Sequence, residues 1–295
     1  YSHLLSEEPP ELRNFPVSQY VAAGEMHERD SLPSFLYILP EHEKLALPWD
    51  DEPDFSVGTY ARNHGSSVVS RFVSSAKSWL AHRGVDRLAK ILPWGSELAT
   101  EEKLSPVAVS QQYLAHIREA WNQKMGTKKD AEGSPCFLEE QQIVLTVPAS
   151  FDEVARELTV QAAHDAGFKK LTLLEEPLSA FYSYLAHEDN WEEKLNEGDK
   201  ILIVDIGGGT SDFSLVEFEK GGQLRRTAVG RHLLLGGDNI DMALARHIER
   251  QWKKSLPARD WALLVQQCRK AKEDILAHKA TEVSIAVSSA GSSLI

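Results

Sequence analysis

An apolar run that stops on a carboxylate, passes through three glycines and a threonine, and restarts after a second carboxylate has few ways to fold. Here it reads Ile201-Leu-Ile-Val-Asp205-Ile-Gly207-Gly208-Gly209-Thr210-Ser-Asp212-Phe213. Ile201 to Val204 reads as a buried strand and Phe213 to Phe218 as a second, so the glycines occupy the turn between them. Glycine permits positive φ and lets a phosphate approach main-chain N–H groups that no Cβ shields. Asp205 and Asp212 flank the turn, where they can hold the waters of a Mg²⁺ ion, and Thr210 adds a hydroxyl. The pattern predicts a nucleotide-phosphate site on a β-hairpin; the plainer alternative is a glycine-rich hairpin with solvated aspartates.

Two better-known phosphate motifs are excluded. A P-loop needs GxxxxGK[ST] opening a helix, and the string is absent; a dinucleotide fingerprint needs strand followed by helix, whereas here strand leads to strand. A net charge of −12 argues against a general nucleic-acid or anionic-membrane surface. Cys136 and Cys268 stand far apart with no CxxC spacing, so neither a disulfide framework nor a zinc site is indicated. No apolar run reaches membrane-spanning length and no signal peptide is visible, so a cytoplasmic setting is expected. Tyr1 at the start and the serine-rich stretch 288–295 at the end read as cut ends of a longer protein.

Along the chain, the proline-rich residues 1–60 read as strands and loops, and Ser67 to about Leu92 reads as helix-prone. Ser105-Pro106 starts a helix with serine as N-cap, and Val109, Tyr113, Ile117 and Trp121 form its apolar stripe. Residues 126–140 read as a polar linker, and Gln142 to Val147 as a strand closed by Pro148. Ser150 to Glu153 reads as a capping box for a helix with Val154, Leu158 and Ala162 on one face and Gly167 as its stop. Leu171 to Leu174 is a short strand, and Pro177 opens another helix at its first position. Glu175 and Glu176 therefore lie where a strand end meets a helix start, the crevice in which open α/β folds bind ligands. Residues 186–199 read as an acidic loop. Gly236-Gly237-Asp238 opens a helix to about Trp252, and a second, roughly 258–277, carries Leu264, Cys268, Ala271 and Ile275. Val283, Ile285 and Val287 alternate like a strand.

With these pieces in order, the chain resembles the ATPase domain of the 70-kDa heat-shock chaperone (DnaK-like) family, within the actin and sugar-kinase superfamily. The strings that carry the resemblance are Ala76-Lys77-Ser-Trp-Leu80, Val147-Pro-Ala-Ser-Phe151, Ala163-His-Asp-Ala-Gly167, Leu174-Glu-Glu176-Pro177, Asp205 to Asp212, Leu235-Gly-Gly-Asp238 and Cys268-Arg-Lys-Ala-Lys272. The resemblance implies an incomplete α/β, two-lobed actin-like ATPase fold built from duplicated, ribonuclease-H-like βββαβα units. Lobe I would span 1–189 (core 1–32 and 105–189, peripheral subdomain 33–104). Lobe II would span 190–295 (core 190–235, peripheral subdomain 236–295). Residues 1–5 would end the first strand, with the first phosphate loop upstream and the adenosine loop downstream.

Site roles are implied residue by residue. Lys77 matches the lysine that orients the attacking water and contacts the γ-phosphate. The Ser74-x-x-Lys77 acyl-enzyme pattern it also fits is set aside, because Ser-Asp-Asn and Lys-Thr-Gly are absent. Glu176 matches the glutamate near the metal's water shell that signals between lobes, while its neighbour Glu175 reads as helix-dipole charge. Asp205 and Asp212 match the acids around hydrated Mg²⁺, and Thr210 matches the γ-phosphate threonine. Gly207, Gly208, Gly209, Gly236, Gly237, Asp238 and Lys272 would hold ATP or ADP. Arg269 stands where a glutamate is expected and Glu273 where an arginine is expected, which weakens the nucleoside end.

The implied function is a slow ATPase coupling nucleotide state to binding of unfolded polypeptide by another domain. Its partners would be a J-domain co-chaperone and a nucleotide-exchange factor, with no nucleic acid and no membrane. The alternatives are an actin-like scaffold or filament protein, or a sugar kinase of the same superfamily.

Overall fold

The structure, a computed structural model, describes residues 12–129, 133–188, 190–220, 223–230, 233, 235–253, 255–289 and 292–294. It is a mixed α/β molecule in which the described strands form five small sheets. Two hydrophobic cores in the N-terminal half and a helix pair in the C-terminal half decide where the candidate site lies.

The first strands, β1 (Val17–Ala22) and β2 (Glu25–Arg29), form a hairpin that turns at Gly24, whose φ is +72°. β3 (Leu36–Ile38) is the middle strand of an antiparallel sheet, between β4 (Phe55–Val57) and β5 (Phe72–Val73). A short helix, α1 (Thr59–Asn63), follows β4. Leu36, Ile38, Val57 and Val73 pack with Ala76, Leu92 and Val109 into the first core.

The segment from Ser67 to Leu92 is not one helix. It breaks into 3₁₀ turns at Gly65–Ser67 and Val69–Arg71, the strand β5, and the six-residue helix α2 (Ala76–Ala81). Phe72 and Val73, an aromatic and a β-branched residue, pair with Tyr37 and Leu36 across the sheet. Ser75 then takes a left-handed φ of 57°, which separates strand from helix.

The long helix α3 (Pro106–Met125) starts as its sequence requires, with Ser105 Oγ accepting the Ala108 N–H at 3.1 Å and Pro106 in the first turn. The linker after it is pinned by a hydrogen bond from Trp121 Nε1 to the Cys136 carbonyl at 2.7 Å. β6 (Gln142–Val147) and β7 (Lys170–Glu175) run parallel, joined by α4 (Glu153–Asp165), and Val147 is level with Glu175. The N-cap of α4 is Asp152, whose Oδ1 accepts from Ala155 N at 2.9 Å, rather than Ser150. The buried face of α4 is correspondingly Ala155, Leu158 and Ala162, with Val154 exposed. Those three join Leu80, Val107, Val147 and Phe151 in the second core. Gly167 ends the helix with φ +99°.

α5 (Glu176–His187) follows β7 directly, with Glu175 as N-cap residue and Pro177 second in the helix rather than first. The acidic stretch beyond it contains a one-turn helix, α6 (Trp191–Lys194). β8 (Lys200–Ile206), β9 (Ser211–Glu219) and β10 (Gln223–Val229) form an antiparallel sheet in the order β10-β9-β8. β8 is not buried on both faces: Leu202, Val204 and Ile206 are 61%, 48% and 68% exposed. The apolar run reads as buried in sequence, but β8 is an edge strand in this sheet and only its Ile201 and Ile203 face is sheltered.

Helices α7 (Gly237–Trp252) and α8 (Ala258–Leu276) pack together through Ala245, Leu264 and Cys268, with Ile248, Trp252 and Val265 around them. Ile275, placed on that face by its spacing, is exposed. Val283 and Ile285 lie in irregular chain, and strand structure begins only with β11 (Val287–Ser289), paired with β12 (Ser292–Leu294). Residues 1–5, read as the end of a first strand, lie outside the described residues.

Candidate functional site

The β8–β9 ladder places Asp205 directly opposite Asp212. Cross-strand partners share a face of the sheet, and like charges so placed repel. Asp212 is buried at 5% exposure and accepts a hydrogen bond from Ser150 Oγ, in the loop between β6 and α4. Asp205 is half-buried, and its carboxylate accepts no hydrogen bond from another described residue. A dication held through water would relieve the repulsion. Among the described residues no group of three or more His, Cys, Asp or Glu side chains could hold a metal directly. Two carboxylates therefore fit Mg²⁺, which keeps several waters and takes its other ligands from phosphate, better than they fit a metal caged by protein.

The turn between the strands is fixed from one side and open on the other. Gly207 N donates to Thr210 O at 2.8 Å. The carbonyls of Gly207 and Gly208 accept from Gly237 N at 3.1 Å and Asp238 N at 2.7 Å, so the turn is seated on the first residues of α7. A Cβ at Gly236 would lie 2.5 Å from the Gly208 carbonyl oxygen and 2.6 Å from that of Gly207, which is why glycine stands there. The N–H groups of Gly208, Gly209 and Thr210 donate to no other described group. Three successive amides without partners are what an incoming phosphate needs.

Helix α2 reaches the same turn from the other half of the molecule. Ala76 is buried in the first core and Leu80, one turn on, in the second, so α2 is wedged between both. That leaves Lys77 on the open side, with Nζ 2.5 Å from Glu176 Oε1 at the first residue of α5. Ser78 packs its hydroxyl against Gly209, in the space a side chain there would need.

Glu175 does something the sequence did not indicate. Its carboxylate accepts from Arg156 Nη2 of α4 at 3.0 Å and from Arg226 Nη1 of β10, tying the two halves together. The dipole of α5 is thus not its main partner.

At the nucleoside end, Lys272 Nζ lies 3.0 Å from the Gly237 carbonyl and 2.7 Å from Asp241 Oδ1. Arg269, one turn earlier in α8, bonds Asp241 Oδ2 at 3.0 Å and Asp238 Oδ1 at 2.5 Å. Ser75 Oγ donates to the other oxygen of Asp238. Of the expected residues, Lys77 and Glu176 meet directly, and so do Lys272 and Gly237; Gly207 to Thr210 and Gly236 to Asp238 form one docked unit. Ser75, Ser78, Ser150, Asp241 and Arg226 are additional. One signal for Asp241 exists in the sequence: Asp238 and Asp241 are spaced by three on one helix, as are Arg269 and Lys272 on the next.

The family model for Hsp70 protein matches residues 51–293, which include every candidate site residue named above. The chain belongs to the Hsp70 family. Membership implies an actin-like ATPase fold, and the mixed α/β architecture of this Hsp70 chain is consistent with it. Among individual proteins, it is 36% identical over 144 residues to a chaperone protein HscA homolog of Acinetobacter baumannii, covering 48% of this chain and 22% of that protein. A homolog of the same description from Shewanella loihica is 37% identical over 144 residues, with the same coverage. One from Ralstonia nicotianae is 36% identical over 185 residues, 62% of this chain and 27% of the relative. The match thus spans about a quarter of the length of these relatives. No helix among the described residues is long and apolar enough to cross a membrane.

Proposed function

We infer that this Hsp70-family chain binds ATP or ADP with Mg²⁺ and hydrolyses ATP slowly by in-line attack of water. The nucleotide would lie between two lobes, 1–189 and 190–295, each derived from a ribonuclease-H-like unit. The observation that supports this reading is the meeting of α2 with the glycine turn: Ser78 packs against Gly209, while Lys77 of the same helix bonds Glu176 and Asp205 faces Asp212 across the ladder.

The chemistry follows from those groups. The amides of Gly208, Gly209 and Thr210, which donate to no other described group, would receive phosphate oxygens, and Thr210 would add its hydroxyl. Phosphoryl transfer asks the protein mainly to position groups and to offset charge that builds on the equatorial oxygens. Lys77 supplies a cation on a wedged helix for that purpose, and Glu176, its partner, holds it ready at the head of α5. Asp205, whose carboxylate accepts no hydrogen bond from another described residue, is the group available to orient the attacking water. Asp205 and Asp212 would hold Mg²⁺ through water, and the ion would supply positive charge to offset that of the phosphates.

In the full-length protein, the nucleotide state would gate binding of unfolded polypeptide by another domain, helped by a J-domain co-chaperone and an exchange factor. Moving such a two-state equilibrium from 1:99 to 99:1 takes about 5.5 kcal/mol of differential affinity, and a shift of smaller span takes less. The test is single-turnover hydrolysis of MgATP by the full-length protein beside its Lys77→Ala and Asp205→Ala forms. Slow turnover, largely lost in both variants, is expected. Turnover indifferent to both changes would assign the phosphate chemistry elsewhere.

A further inference from the structure

The connection from β3 to β4, residues 39–54, is far longer than an antiparallel pair needs. It is nevertheless pinned at several points. The Tyr20 hydroxyl donates to the Ala46 carbonyl at 2.6 Å, and Leu39 N donates to the Asp54 carbonyl at 2.9 Å. The hydroxyls of Tyr37 and Tyr60 both donate to the Glu43 carboxylate, at 2.9 and 2.6 Å, and Leu45 is buried. Leu47 and Asp50 exchange backbone hydrogen bonds of 2.7 and 3.1 Å, which sets Trp49 in a tight turn. Long loops held in place without regular structure are commonly functional.

Between this loop and α3 lies a cavity of about 210 Å³, several times the ~30 Å³ share of one water. Leu47, Phe55 and Val57 give it an apolar wall, while Trp49, Asp50, His116 and Glu119 supply its polar and aromatic groups. None of its lining residues is a lysine or arginine, and none belongs to the groups assigned to the nucleotide.

His116 is only 8% exposed, and its Nε2 lies 2.9 Å from the Ser18 carbonyl. A carbonyl can only accept, so Nε2 carries the proton; burial lowers the pKa and keeps the ring neutral. Nδ1 is then a bare acceptor, and it bonds no other described residue. The Trp49 ring meets the His116 ring at 78°, with centroids 5.2 Å apart, so the two form a corner rather than a stack. No described lysine or arginine lies over Trp49. Asp50 Oδ1 accepts from Glu52 N at 3.1 Å, and Glu119 Oε1 accepts from Arg118 Nη2, which leaves the second oxygen of each carboxylate without a described donor. An aromatic wall, a neutral buried acceptor and two carboxylates, with no cation in the lining, are suited to a ligand that brings positive charge and several N–H donors.

We propose that the cavity between residues 47–57 and α3 is a binding site for a small organic cation of the alkylguanidinium class. The planar head would lie on Trp49, donate to His116 Nδ1 and pair with Glu119 or Asp50, and the alkyl stem would rest on Leu47, Phe55 and Val57. A guanidinium suits these groups better than an ammonium, because its donors lie in one plane, its face stacks on an aromatic ring and it is less strongly hydrated. The site is separate from the glycine turn, so the proposal does not depend on the nucleotide reading.

The experiment titrates the full-length protein with ethylguanidinium by calorimetry, and in parallel with propylammonium and with ethylurea, its neutral counterpart in shape. Trp49→Leu and Glu119→Gln are titrated beside the parent. Ethylguanidinium is expected to bind with a dissociation constant on the order of millimolar and to slow amide hydrogen exchange over residues 45–55. Each variant is expected to weaken it about fivefold, and ethylurea to bind at least about tenfold more weakly than the cation. Failure of the parent to bind ethylguanidinium would overturn the site. So would binding that leaves exchange over 45–55 unchanged or is indifferent to both variants, since the ligand would then sit elsewhere. Equal affinity for ethylurea would overturn the requirement for charge, and equal affinity for propylammonium would overturn the assignment to a planar head.

Discussion

Lys77 Nζ and Glu176 Oε1 lie 2.5 Å apart although 99 positions separate them in the chain. The contact joins a helix six residues long to the first residue of α5, just beyond the end of β7. Neither partner is deeply buried, and an ion pair so exposed contributes little to stability. Its significance is positional: it fixes a cation on the helix whose Ser78 packs against Gly209 of the turn.

Lys77→Ala should therefore separate chemistry from binding. Single-turnover hydrolysis of MgATP is expected to fall about 100-fold, the scale for losing one group aimed at transition-state charge. MgADP affinity should change less than about threefold, since the pair is solvent-screened. Glu176→Gln should leave more residual turnover than Lys77→Ala; equal losses would assign Glu176 a direct role.

Asp205→Asn should act in opposite directions with and without metal. Removing one of two facing carboxylates is expected to stabilise the ligand-free protein by about 0.5 kcal/mol in urea unfolding. The extra stability conferred by Mg²⁺ with ADP should shrink sharply in the same variant. A variant destabilised without metal would show that Asp205 has a structural partner instead.

Gly209 and Gly236 should differ in what alanine does. At Gly236 the methyl group meets two backbone carbonyls that are anchored by α7, so Gly236→Ala should cost about 1–3 kcal/mol. At Gly209 the one clash is with the Ser78 hydroxyl, which can be removed, beside ordinary contacts with Ser78 Cβ at 3.4 Å and Asp238 Oδ2 at 3.9 Å. Gly209→Ala combined with Ser78→Ala should recover most of the loss, a coupling that a double-mutant cycle measures.

Acid should weaken the fold in two stages. Burial of His116, whose Nε2 lies 2.9 Å from the Ser18 carbonyl, holds its pKa below the usual imidazole value near 6.5. The unfolded chain then takes up that proton first, so stability is lost as pH falls below about 6.5, by at most about 1.4 kcal/mol per pH unit for one proton. Asp152 is held down to about 2 from an ordinary 3.8, first by its hydrogen bond with Arg87 and then by the Ala155 N–H. Its contribution is present above pH 3.8 and disappears as pH falls towards 2. Urea midpoints between pH 7.5 and 5 should flatten in His116→Gln, and those below pH 4 should flatten in Asp152→Asn.

Much of this architecture is legible from local chemistry. The hairpin around Gly207 to Thr210, the Ser105 cap of α3, the parallel β6–α4–β7 unit and the α7–α8 pair all follow from punctuation and spacing that act within a few residues. Where tertiary contacts decide, the sequence misleads. Phe72 and Val73 leave a helix-prone segment because β3 offers them a ladder, and Ser150 gives up its capping position because Asp212 is within reach. Leu202, Val204 and Ile206 look like core because an apolar run carries no record of what covers it. The network of Asp238, Asp241, Arg269 and Lys272 was visible only as two matching spacings, since which helix faces which is a property of packing.

The strand that ends in the phosphate turn is also the open margin of its sheet. A row of three exposed branched side chains beside backbone groups that pair with no other described strand is a template on which another extended chain can add itself. Expressed as these 295 residues, the protein should thus be limited less by how firmly it folds than by how readily copies zip together along β8, and a lysine in place of Val204 should keep it in solution.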